Sequence, residues 1–131
     1  MKATYSIGTS STISLSVTVG TEGFAQSKIY LRKEGEKPLL LATSASDDGN
    51  ISKQALGDST NLKDGVLAIY TMIDLSAISD GNVAAAMQKI TATYDISGGP
   101  SGSTTIKMDD DDIAKLIDTK VATITKAIVL I

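Results

Sequence analysis

Cysteine, histidine and tryptophan are absent from this chain, phenylalanine occurs once and proline twice. Without Cys there are no disulfides, no thiolate ligands for zinc or iron–sulfur centres and no thiol nucleophile. Without His the usual general base near neutral pH is missing, together with His-dependent triads and the commonest transition-metal ligand. Catalysis would fall to Asp, Glu, Lys, Tyr, Ser or Thr, so the composition favours a non-enzymatic protein. Aromatic residues make up only 4% of the chain. Platforms for stacking a sugar are therefore limited to Tyr5, Phe24, Tyr30, Tyr70 and Tyr94.

Positive charge is also scarce. Twelve Lys+Arg stand against fifteen Asp+Glu, and Arg32 is the single arginine. No basic stripe is available to neutralise phosphates, which argues against nucleic acid as a partner. The imbalance lies in the second part of the chain, where all the acidic residues are Asp; the basic residues Lys28, Arg32, Lys33 and Lys37 cluster in the first. Met1-Lys2-Ala3-Thr4-Tyr5 runs into Ser, Gly and Thr rather than an apolar core, so no signal peptide is visible. No run approaches the ~18 apolar residues of a membrane-spanning helix, so membrane insertion is not expected.

What the chain does contain is sheet. Its 131 residues, 42% of them apolar, suffice for one domain, residues 1–131, with a real core. From Thr12 to Val19 every odd position is aliphatic and every even one Ser or Thr, the pattern of a strand with one buried and one wet face. Residues 28–33 resume the alternation, Glu34-Gly35-Glu36-Lys37 reads as a hairpin turn, and 39–43 returns. Residues 44–50 form a loop by composition, and 51–62 hold too many Gly, Asp, Ser and Asn for a regular element. The run from Gly65 to Leu75 is apolar on both faces, with Leu67, Ile69, Thr71, Ile73 and Leu75 on one side and Val66, Ala68, Tyr70 and Met72 on the other. Asp80 is placed to cap a short helix through Ala84–Met87. Strands follow at 90–96, 104–108 and 121–131, with a flexible Gly/Ser loop at 97–103. Seven or eight short, mostly antiparallel strands with one or two helical turns indicate an all-β protein, a β-sandwich before a small barrel.

Four adjacent carboxylates, Asp109, Asp110, Asp111 and Asp112, are the most conspicuous candidate site. Hard oxygen ligands of this kind suit calcium. Ile113, Leu116 and Ile117 follow at helical spacing, however, so the same acids read as the capped, dipole-complementing start of a short helix. The second acidic loop, Asp47-Asp48-Gly49-Asn50, lacks the spacing and distal Glu of an EF-hand and reads as turn chemistry. Residues 98–103 have neither the Gly-Lys-Ser/Thr of a phosphate loop nor a nucleophile elbow. Asn50-Ile51-Ser52 matches a glycosylation triplet, a pattern common by chance.

Surfaces offer more than pockets. A strand apolar on both faces is either central and covered twice, or covered on one side by another subunit. The bare apolar run Ile128 to Ile131 would be an aggregation hazard on an open edge and needs a cover. Val66, Tyr70, Met72, Ile128 and Leu130 are accordingly the expected interface residues. The sequence reading is a non-enzymatic structural or interaction module, self-associating or bound to other protein subunits. Its expected setting is a larger assembly of the virion or injection-machine type. No cofactor is expected, calcium being the one metal considered. The alternative is a calcium-dependent or carbohydrate-binding sandwich.

Overall fold

A computed structural model describes residues 3–131; Met1 and Lys2, which open the segment read for a leader, lie outside the described residues. The chain is a β-sandwich of two sheets, six-stranded and four-stranded. Strand β1 (Ala3–Tyr5) lies at one edge of the six-stranded sheet, followed in spatial order by β10 (Val121–Leu130), β6 (Val66–Asp74), β3 (Phe24–Arg32) and β4 (Leu39–Thr43), with β9 (Ile113–Leu116) also paired to β10. The four-stranded sheet runs β5 (Ile51–Asp58), β2 (Thr12–Gly20), β7 (Thr91–Ser97) and β8 (Thr104–Lys107). Among the described residues the strands pair antiparallel except β1 with β10, and an isolated parallel bridge joins Ala25 to Asp48.

Period-two alternation decides which side chains meet between the sheets. Ile13, Leu15 and Val17 of β2 and Ala92, Tyr94 and Ile96 of β7 point inward from one sheet. Ile29, Leu67, Ile69, Ile73, Ile124 and Ile128 point inward from the other, all with no exposed surface. Within this core a Ser27–Thr71 hydroxyl pair is satisfied internally at 2.8 Å, which makes a polar pair tolerable there.

Every strand expected from the alternation is present, and three more join them. Residues 51–62, read as irregular, form β5 and a single helical turn, α1 (Ser59–Leu62). Only Ile51 and Leu56 of β5 are buried and its pairing with β2 carries two register shifts, so the alternation that marks a strand is broken. The helix expected after the Asp run is not there either. One 3₁₀ turn, Asp110–Asp112, leads straight into β9, and Leu116 and Ile117 stay exposed rather than forming a helical core face. A short helix, α2 (Val83–Gln88), does form in the Ala-rich stretch, preceded by a 3₁₀ turn. Asp80 does not cap it: its carboxylate binds Lys120 Nζ at 2.7 Å, and that hydrogen bond holds the Asp80 carboxyl below its ordinary range.

Both open sides of the sandwich are crossed by acidic loops. The 44–50 loop takes the chain from β4 to β5; Asp47 C=O accepts from Ala25 N–H at 2.7 Å, and Asn50 Oδ1 accepts from Val19 N–H at 2.7 Å. Gly49 sits buried in it at φ 75°, where a Cβ would stand 2.7 Å from Ala25 Cβ. That loop is therefore structural turn chemistry, as its composition suggested. On the other side, residues 108–112 carry the chain from β8 to β9.

Candidate functional site

Two places break the pattern that builds the fold. The first is the outer face of the six-stranded sheet. Cross-strand register sets Arg32, Val66 and Val129 in one row, Tyr30, Ala68 and Ala127 in the next, then Lys28, Tyr70 and Thr125, then Gln26, Met72 and Thr123. Phe24 is 56% exposed, Met72 61% and Tyr70 39%. Small side chains occupy the middle of the face: Ala68 is only 3% exposed although it points outward, and Ala127 lies beside it. Tyr30 and Tyr70 pack edge to face with ring centres 5.7 Å apart, and a groove of about 310 Å³ lined by Lys28, Tyr30, Arg32, Pro38 and Tyr70 opens beside them.

The outer face of the four-stranded sheet is built differently. Its outward positions are Thr12, Ser14, Ser16 and Thr18 on β2 and Thr91, Thr93, Asp95 and Ser97 on β7, flanked by Thr105 and Lys107. Asp95 accepts a hydrogen bond from the Thr105 hydroxyl across the strands. One face of the sandwich is thus hydroxyl-rich, while the other sets exposed aromatic and apolar side chains among Lys28, Arg32, Gln26, Thr123 and Thr125.

Of the expected interface residues, Tyr70 and Met72 are exposed on the outer face of the six-stranded sheet and Val66 is half-buried on it. Ile128 and Leu130 are not on it. Both point into the core of the same chain, 0% and 3% exposed, and the edge they occupy is covered by β1, which pairs Ala3 with Ile128 and Tyr5 with Leu130. The hazard noted in the sequence is met within the chain. Tyr5 also reaches across to the 97–103 loop, donating to Gly102 C=O at 2.7 Å and accepting from Gly99 N–H at 2.8 Å.

The second place is the Asp run, and here the sequence reading missed the central residue. Lys126 lies on β10 between Ile124 and Ile128, in phase with the core, and its side chain is 2% exposed. Its ammonium sits 2.9 Å from Asp112 Oδ2 and 3.2 Å from Asp109 Oδ2. Asp112 is itself nearly buried at 9%, while Asp109 is half exposed. Asp112 Oδ2 also accepts the backbone N–H of Asp109 at 2.8 Å, closing the 3₁₀ turn. Desolvation alone would lower the Lys126 pKa, but hydrogen bonds to Asp112 and Asp109 outweigh it and raise the value above the ordinary one. The signal was available in the sequence: a lone Lys on the aliphatic phase of an otherwise apolar strand needs buried acid.

This arrangement changes the reading of Asp109, Asp110, Asp111 and Asp112 as calcium ligands. The ammonium of Lys126 already stands between two of the four carboxylates. Among the described residues no three acidic side chains converge in a way that would hold a metal ion. Across the core, the Tyr94 hydroxyl is buried without a hydrogen-bond partner among the described residues, and burial, reinforced by the Asp112 charge, pushes its pKa well up.

No described helix is long and apolar enough to cross a membrane. No protein-family model, no curated protein and no solved structure matches the chain.

Proposed function

We propose that this chain is a non-enzymatic structural module that self-associates through the outer face of its six-stranded sheet, as a repeated component of a larger assembly of the virion or injection-machine type. The contrast between the two outer faces carries this reading. The four-stranded sheet turns Ser, Thr, Asp and Lys outward and exposes no large apolar side chain from β2 or β7. The six-stranded sheet exposes Phe24, Tyr70 and Met72 around a floor of Ala68 and Ala127, with Lys28, Arg32 and Gln26 beside them, a mix of aromatic, Met and Arg side chains suited to burial against a partner. The partner is taken to be a second copy, with other protein subunits of the same assembly as the heterotypic case.

The experiment is light scattering coupled to size separation from micromolar to millimolar concentration, on the wild type and on Tyr70→Lys/Met72→Lys. Concentration-dependent association that the double substitution abolishes supports the proposal. A wild type that stays monomeric over the whole range overturns it.

A second reading rests on the Tyr30–Tyr70 pair, the Arg32 guanidinium 3.5 Å from the Tyr70 hydroxyl, and the groove beside them. An aromatic platform with a planar donor is a means of holding a sugar. Saturable binding on a glycan array, lost in Tyr70→Ala, would favour this over self-association.

A further inference from the structure

The Lys126–Asp112–Asp109 cluster has the composition and geometry of a self-condensing pair, and we propose that Lys126 and Asp112 form an intramolecular isopeptide bond. Three observations converge. The amine and the carboxyl are 2.9 Å apart and both nearly withdrawn from water, at 2% and 9% exposure. Holding reactants at contact converts a bimolecular condensation into a unimolecular one, a large gain in effective concentration. Asp112 Oδ2 already accepts the Asp109 backbone N–H at 2.8 Å, so a donor is in place where negative charge develops when the carboxyl carbon is attacked. A second carboxylate, Asp109, lies 3.2 Å from the same nitrogen and is half exposed, which suits a proton carrier with access to solvent.

The chemistry balances without a further reactant. One ammonium proton passes from Lys126 to Asp112, leaving a neutral amine and a carboxylic acid. The Nζ lone pair adds to Asp112 Cγ, the C=O electrons move onto Oδ2, and Asp109 takes the proton shed by the nitrogen. As the C=O reforms, Asp109 returns that proton to the Oδ1 hydroxyl, which leaves as water. The net change is ammonium plus carboxylate to amide plus water, with Asp109 regenerated. Ile124 and Ile128 flank Lys126 on the core face, and a neutral amide is less costly to bury in that apolar setting than an ion pair. The bond would fasten the 108–112 crossing segment to β10 in a chain that has no cysteine with which to do so.

The test is intact mass spectrometry of the purified, denatured full-length chain, followed by tryptic mapping. The expected mass is ~18 Da, one water, below that of the sequence. Trypsin does not cut at an acylated lysine, so the map should hold one branched species in which 108–115 is joined to 121–131. Asp112→Ala and Lys126→Arg should keep the full sequence mass, and Asp109→Ala should slow or abolish the loss of water. A wild type that retains its full mass after prolonged incubation overturns the proposal. A loss of water without the branched peptide does too, since it marks cyclisation at an aspartate elsewhere. If the variants fail to fold, the wild-type mass and map decide alone.

Discussion

Replacing Tyr94 with Phe removes one oxygen from the centre of the sandwich, and the structure says what should follow. The ring sits on β7 between Ala92 and Ile96, fully buried, and its hydroxyl meets no partner among the described residues. A buried polar group left unsatisfied costs about 1–3 kcal/mol, so Tyr94→Phe should stabilise the chain by roughly that amount at neutral pH. For a domain of this size each kcal/mol moves the melting temperature by roughly 3–6 °C.

A second signature appears in alkali. Burial, with the Asp112 charge, raises the Tyr94 pKa in the folded state, so the unfolded chain gives up this proton first. The unfolded state then binds fewer protons than the native one. Stability is complete below the unfolded tyrosine value of about 10 and declines above it by about 1.4 kcal/mol per pH unit, until the folded group itself titrates. Lys126, whose pKa is also raised, has the same sign and adds a second slope of equal size wherever its amine is free. Urea denaturation of wild type and Tyr94→Phe at neutral pH and at steps above pH 10 separates these effects. The variant should be more stable at neutral pH and should lose the tyrosine share of the alkaline slope. A variant less stable than wild type at neutral pH, or one with an unchanged alkaline slope, would refute the reasoning, because the hydroxyl would then have a partner.

Measured against the uncondensed chain, Lys126→Met strands Asp112 in a nearly buried site, and breaking a buried pair in this way costs about 3–5 kcal/mol; adding Asp112→Leu should restore much of the loss in chemical denaturation. Tyr5→Phe removes two hydrogen bonds that pin the 97–103 loop and should cost about 1–2 kcal/mol, with faster amide exchange at Gly99 and its neighbours. Gly98→Ala places a Cβ at φ 107° against the Thr12 carbonyl, so a marked drop in melting temperature is expected. With the Lys126 ammonium between Asp109 and Asp112, melting should be indifferent to millimolar calcium and to chelator; a rise with calcium would restore the metal reading.

Alternation made most of the architecture readable in advance. Where every second side chain is buried, as in β2 and β7, the sequence repeats the sheet's own period. It failed where burial does not follow that period. Residues 51–58 pair along an edge with register shifts and bury two apolar side chains, leaving no stripe to see. Residues 113–117 show helical spacing, yet Leu116 and Ile117 are exposed, so that spacing never served a core. The two-faced strand was legible as such, although the sequence could not show that its outer face stays open while the C-terminal strand is closed by β1. The acid run was seen and its partner was not, because Lys126 is fourteen positions from Asp112 and only the fold brings them together.

The two anomalies break one rule in opposite senses. Lys126 is a charge on the buried phase of β10, and Tyr70 and Met72 are apolar on the exposed phase of β6. A sequence specified for stability and solubility alone would carry Leu at the first position and Thr or Lys at the others, since a buried ion pair is often matched or bettered by apolar residues of similar volume. Neither departure is needed to form the sheets: each residue sits in regular register with ordinary neighbours on both sides. Departures that the fold does not require are where a use beyond folding is to be sought. Here they mark two separable places, an outer face with exposed apolar side chains and an internal lysine set against two carboxylates. Because Tyr70 and Met72 point away from the core that holds Lys126, substitutions at one place should leave the other unchanged: Tyr70→Lys/Met72→Lys should alter association without altering the chain's covalent mass beyond the substitution, and Asp112→Ala the reverse. Coupling between the two readouts would mean that the sheet does not insulate its faces and that this separation is wrong.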